Sequence, residues 1–181
     1  MVKALNGGGI LVNWGCYDLD YLLGLTGWAL KPVTVFAQTW TIPLSFESHV
    51  ALGSDAETYY LATVRCQGGI ILSMERGEFM TAQSESDWQV IGSKESLKLK
   101  MTDSDPRSII HDDTTTEKGV IPKPLWNPTD NSIATHIGDP LVDFAAAIRE
   151  ERQPLTSLEQ SLILQEITDA IYESAAQVLF R

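Results

Sequence analysis

The chain has 181 residues, 44% of them hydrophobic and 20% charged, which fits one soluble globular domain with a core of its own. A net charge of −11 argues against a nucleic-acid backbone or an anionic membrane surface as partner. The acidic residues are scattered along the chain and read as solvated surface.

The first predicted element is a helix over residues 10–25, preceded by Gly7-Gly8-Gly9 and closed by Gly24, Gly27 and then Lys31-Pro32. Strand-like runs follow at 33–40 (VTVFAQTW), 58–67 (TYYLATVRCQ), 69–79 (GIILSMERGEF), 88–92 (WQVIG), 96–101 (SLKLKM) and 108–112 (SIIHD). Gly68-Gly69 and Gly92-Ser93-Lys94-Glu95 are hairpin turns by composition, so the strands should form a mainly antiparallel sheet. Leu97, Leu99 and Met101 alternate with Lys98 and Lys100, one dry face against one wet face.

Pro122, Pro124 and Pro128 are expected to punctuate a connecting loop. Pro140 then opens a helix, LVDFAAAIREE, where a missing N–H costs nothing. A last helix follows Pro154. Thr156 with Glu159 and Ser157 with Gln160 are overlapping capping boxes, and Ile163, Ile167, Ala170, Ile171, Ser174, Ala175 and Val178 keep a helical spacing for packing. The expected architecture is one α+β domain over residues 1–181, an antiparallel sheet with helices on one face.

That leaves a second sheet face. Runs such as Tyr59-Tyr60-Leu61-Ala62 and Gly69-Ile70-Ile71-Leu72 put apolar side chains on both sides of a strand. A second copy of the chain would cover the outer face; long loops are the alternative cover.

Cys16 and Cys66, far apart in apolar surroundings, read as reduced thiols of a cytoplasmic protein. His49, His111 and His136 lie in separate segments and give no support to a metal site. The start lacks the pattern of a secretory signal, and residues 10–25 are too few and too acidic to span a bilayer.

Within that apolar helix, Asn13, Tyr17 and Asp20 form one narrow polar stripe at about 100° per residue. Asp18 lies roughly 140° round from Asn13 and reads as a surface carboxylate. The stripe could find its partners on a ligand in a cleft, with Gly8 and Gly9 letting that ligand approach the helix amides. Alternatively the polar groups satisfy one another and the glycines make a tight turn. Gly-Gly-Gly without GxGxxG and a preceding strand is not a dinucleotide fingerprint.

The stretch GGGILVNWGCYDLDYLLGL (7–25) resembles the segment opening the C-terminal domain of the Gfo/Idh/MocA oxidoreductases. Those proteins read Gly-Gly-Gly, then Asp-x-Gly-x-His or Asp-x-Gly-x-Tyr, then x-x-Asp. DPLVDFAAAIREERQPLTSLEQSLILQEITDAIYESA (139–175) is similar to the family's closing helices, and QVIGSKESLKL (89–99) to its late hairpin. The resemblance implies a C-terminal domain like that of glyceraldehyde-3-phosphate dehydrogenase, which supplies substrate contacts and a dimer face. It further implies that NAD or NADP is bound by a Rossmann domain, carrying the catalytic lysine of a Glu-Lys-Pro motif, elsewhere in the parent polypeptide. This chain contains neither GxGxxG nor Glu-Lys-Pro, so no cofactor is expected on it alone.

By the same resemblance Tyr17 falls at the family's His or Tyr proton donor, tuned by that lysine, and Asp20 at its later aspartate. Asn13 stands where the family carries Asp, and an amide holds a hydroxyl without taking its proton. Trp14, one residue off the stripe, would either flank a sugar ring or pack in the core. Two functions remain open: the substrate-binding half of an NAD(P)-dependent enzyme acting on a sugar, polyol or related carbinol, or a non-catalytic dimerisation or sugar-binding module.

Overall fold

The computed structural model describes residues 1–83, 87–99, 108–126 and 139–177. In chain order these form α1 (Lys3–Asn6), a π turn (Leu11–Gly15) leading into α2 (Cys16–Leu25), β1 (Pro32–Trp40), β2 (Tyr59–Cys66), β3 (Ile71–Gly77), β4 (Trp88–Ile91), β5 (Ser96–Leu99), β6 (Ile109–Thr115), β7 (Gly119–Trp126), α3 (Asp139–Glu150) and α4 (Leu158–Ala176). The fold is α+β, with two antiparallel sheets ordered β1-β2-β3 and β4-β5-β6-β7. Two compact units result, one of Met1–Ala82 with Asp143–Arg181 and one of Gln83–Val142. Among the described residues no helix is long and apolar enough to cross a membrane.

The first unit is built on the period of two of its strands. On β2, Tyr60, Ala62, Val64 and Cys66 are buried while Tyr59, Leu61, Thr63 and Arg65 face the other way. Register carries that pattern across the sheet: Ala62 sits opposite Ala37 on β1 and Met74 on β3. Helices α2 and α4 cover this face, contributing Leu19, Leu23, Ile167 and Ile171 to one continuous core. Each such side chain contributes about 1.5–3 kcal/mol by leaving water. Ser174 of α4 accepts the Ala37 amide at 3.0 Å, pinning that helix to β1. The β2–β3 hairpin turns at Gly68 and Gly69, both with positive φ.

Helix α4 starts at the Ser157–Gln160 capping box, with both reciprocal hydrogen bonds formed. The alternative box from Thr156 to Glu159 is not the one used, since Ser157 is the N-cap. The expected packing residue Val178 lies outside the described residues. Ahead of α4, the Asp143 carboxylate of α3 accepts from the Leu155 amide and from Arg152, so one carboxylate organises the turn between the helices.

The second unit is a four-stranded meander. Gly92 donates to the Glu95 carbonyl at 3.0 Å in the β4–β5 turn, as expected. Leu99 is buried and Lys98 exposed; Lys100 and Met101 lie outside the described residues. The proline-punctuated segment is a correction. Pro122 and Pro124 belong to β7, opposite Asp112 and Ile110. β7 is an edge strand, and residues 122 and 124 share one parity, so their missing N–H groups fall on the unpaired side. Pro128 lies outside the described residues.

Candidate functional site

The helix carrying the predicted stripe opens with a π turn, one residue wider than an α turn and often found at functional sites. What holds that turn is Glu57, which is 4% exposed. Its carboxylate Oε1 accepts from the Gly9 amide (2.8 Å), the Leu11 amide (3.2 Å) and the Tyr172 hydroxyl of α4 (2.6 Å). Its backbone carbonyl takes the Ile10 amide at 3.0 Å. One residue therefore satisfies three successive orphan donors of a helix start. Burial and the bond to Glu57 push the Tyr172 phenol well above its ordinary pKa.

This corrects the expected role of Gly8 and Gly9. A Cβ on Gly9 would overlap the Glu57 carbonyl oxygen, and one on Gly8 would overlap the Tyr172 hydroxyl. Both glycines are buried against protein, and the amides a ligand would use are already engaged. Gly7 does something else: with φ +77° it ends α1 in the left-handed conformation.

Asp18 is the second correction. It is 7% exposed, and its oxygens accept from Arg76 Nη2 at 2.6 Å and Nε at 2.7 Å, a bidentate pair joining α2 to β3. The Tyr60 hydroxyl, 3.4 Å from Oδ2, completes the cluster. Lying far round the helix from a solvent-facing stripe puts Asp18 on the core side, among Leu11, Gly15 and Leu19. The bonds to Asp18 raise the Arg76 pKa further, and burial pushes the Tyr60 phenol strongly up.

Three of the remaining predicted residues face outward. Asn13 is exposed, Trp14 is 45% exposed and Tyr17 is 64% exposed. The Trp14 and Tyr17 rings lie 5.9 Å apart, and the Arg76 guanidinium sits 5.5 Å from the Trp14 ring. Trp14 is thus a surface platform over a fixed cation rather than core packing. Asp20 is half-buried further along α2, and burial raises its carboxyl pKa. The structure brings Trp14 and Tyr17 together on an open surface, with Asn13 exposed one residue before Trp14 on the same turn. Sequence reading missed Glu57, Arg76, Tyr60 and Tyr172; a lone arginine in the apolar β3 run was the one available signal.

Cys16 is half-buried and Cys66 buried, both free, their thiol pKa values raised by burial. Among the described residues no three His, Cys, Asp or Glu side chains come together to hold a metal.

The family model described as the C-terminal alpha/beta domain of an oxidoreductase family, Gfo/Idh/MocA, matches residues 2–178. The chain belongs to this family. No curated protein matches the sequence. Among solved structures, the aldose-aldose oxidoreductase of Caulobacter crescentus complexed with glycerol superposes with a TM-score of 0.66 at 20% identity, over 96% of this chain and 47% of that one. An oxidoreductase domain protein of Kribbella flavida gives 0.68 at 17% identity, over 96% and 51%. An Agrobacterium radiobacter oxidoreductase, in complex with NAD+, L-tartaric acid and magnesium, gives 0.64 at 14% identity, over 94% and 48%. These likenesses establish a shared fold. The chain spans about half the length of each.

Proposed function

We infer that the chain is the substrate-binding and dimerisation half of an NAD(P)-dependent oxidoreductase acting on a sugar, polyol or related carbinol. The observation that carries this reading is the open face of Asn13, Trp14 and Tyr17 on a helix start locked from behind by Glu57 and Asp18. Outward-facing polar and aromatic groups on a fixed frame suit a ligand better than the folding of this chain does. In this role the Tyr17 hydroxyl exchanges the proton of the carbinol oxygen, and the Asn13 amide hydrogen-bonds a neighbouring hydroxyl. Trp14 offers an apolar face to a sugar ring, and Asp20 orients Tyr17 or a substrate hydroxyl. Support also comes from the glycerol and tartaric acid named with two structural neighbours, both polyhydroxylated molecules.

Two neighbours are described as binding NAD+ or depending on NADPH. The start of the helix that carries Tyr17 gives a dinucleotide no phosphate site, because its amides at Gly9, Ile10 and Leu11 are occupied by Glu57. NAD or NADP would sit on the Rossmann half that the relatives' extra length accommodates. The substitution of Asn for Asp at position 13 favours a second reading, a non-catalytic sugar-binding or dimerisation module. Two free cysteines fit a reducing compartment, the cytoplasm.

The test joins the chain to a nucleotide-binding half from the family and follows reduction of the dinucleotide with sugars and polyols. Turnover that falls by about 10²-fold in Tyr17→Phe supports the enzymatic reading. Wild-type turnover in that variant removes Tyr17 from the chemistry, and sugar binding without any turnover favours the module.

A further inference from the structure

Arg76 lies near the end of β3, the outer strand of its sheet, opposite Tyr60. Strand alternation puts it on the same side as the buried Leu72 and Met74. Asp18 fixes its Nε at 2.7 Å and its Nη2 at 2.6 Å, while the guanidinium carbon stands 5.5 Å from the centre of the Trp14 ring. Trp14 and Asp18 are four residues apart, about one helical turn, so a single guanidinium spans both. Bonds to a carboxylate lie in the plane of the fork and leave its face free for an aromatic ring. The Trp14 ring also meets Tyr17, with centroids 5.9 Å apart.

We propose that Arg76 is a positioning residue for ligand binding at the outward face, holding the Trp14 ring in place before a ligand arrives. This role rests on reading Asn13, Trp14 and Tyr17 as the substrate side. An indole that is 45% exposed and unheld samples several rotamers, and a ligand stacking on it removes that freedom at a cost in affinity. A cation pinned by the buried Asp18 removes it in advance. At an exposed site such a contact corresponds to about 2–5-fold in an equilibrium constant. The ring meets the ligand equally in the bound and transition states, so the effect falls on KM and leaves kcat level. Tyr17 has the opposite signature, because losing a proton transfer lowers kcat.

Asp18→Asn combined with Arg76→Gln removes both charges together and strands neither. Trp14→Ala removes the ring, so near-UV circular dichroism with and without it isolates the Trp14 band in each background of the full chain. A defined band that the neutral pair largely abolishes, at an unchanged far-UV spectrum, is expected. Absence of a Trp14 band from the wild-type chain overturns the proposal without any variant of the frame. A band equally strong in both backgrounds overturns it too. In the chain joined to a nucleotide-binding half, the neutral pair should raise KM about 2–5-fold with kcat level, for whichever sugar or polyol is turned over best. Once Trp14→Ala is present, the neutral pair should have no further effect on KM. A KM effect that persists without the ring, or a loss in kcat alone, means that Arg76 acts by another route and overturns the proposal. A joined protein without turnover counts against the enzymatic reading instead, and the circular dichroism still decides Arg76.

Discussion

Asp18 and Arg76 illustrate how a charged side chain can be a frame component rather than a surface one. The pair is bidentate and mostly shielded, with Arg76 25% and Asp18 10% exposed at the side chain. Removing one partner strands the other in a poorly solvated place, which costs about 3–5 kcal/mol, whereas replacing both with apolar groups of similar size is much milder. Asp18→Asn and Arg76→Met should each lower the urea midpoint strongly, and Asp18→Leu with Arg76→Met should recover a large part of the loss. A double variant that loses as much as the two single variants added together would show that the pair acts as two independent packing groups. Trp14 fluorescence in the same titrations reads out the platform, since the guanidinium beneath its ring leaves with Arg76.

At the scale of the element, identical substitutions in one helical segment carry opposite signs. Gly9→Ala drives a methyl into the Glu57 backbone, which cannot rotate away, so the cost is about 3 kcal/mol or more. Gly24→Ala, in the last turn of α2, meets nothing within 4 Å and removes backbone freedom from the unfolded chain, for a gain of about 0.5–1 kcal/mol. Thermal unfolding of the two variants decides the matter; a harmless Gly9→Ala would mean that Glu57 does not hold the helix start as described. The same logic explains why a triple glycine precedes this helix. One residue turns left-handed, and two make room for Tyr172 and Glu57.

For the whole molecule the open question is what covers the outer face of β1-β2-β3. Phe36 is 58%, Trp40 46% and Ile71 51% exposed there, with Leu61 and Tyr59 beside them. The Tyr59 hydroxyl donates to Glu75 at 2.6 Å, which pushes its pKa up to about 12 and leaves its ring available for packing. These apolar side chains share the face with Gln38, Thr63, Arg65, Ser73 and Glu75, a mixed surface that would suit a two-fold dimer burying at least about 1,200 Å². Net charge of −11 opposes association, so added salt should tighten the dimer. Sedimentation at micromolar concentration should give a species near twice the 20.0 kDa of one chain. A monomer at both low and high salt would sink the dimer.

The sequence by itself determined the strand runs as far as β6, both hairpin turns, the final helices and the family, because each rests on short-range periods, turn chemistry or motif spacing, whereas the choice of Ser157 over Thr156 as cap came from the structure. It also singled out Asn13, Tyr17 and Asp20, since polar groups on an apolar helix break a local pattern, while leaving Trp14 between a ligand-facing and a core position. Tertiary structure alone decided which side of that helix faced the core. A helical wheel fixes relative angles and no absolute direction, so Asp18 could be read as surface until Arg76, 58 residues away, was seen beneath it. The same holds for Glu57, 48 residues from Gly9, and for the prolines of β7, whose edge position is a property of the sheet. Partners distant in sequence leave no mark on local pattern, and they are what closed the helix start against a ligand from behind while leaving Asn13, Trp14 and Tyr17 facing out.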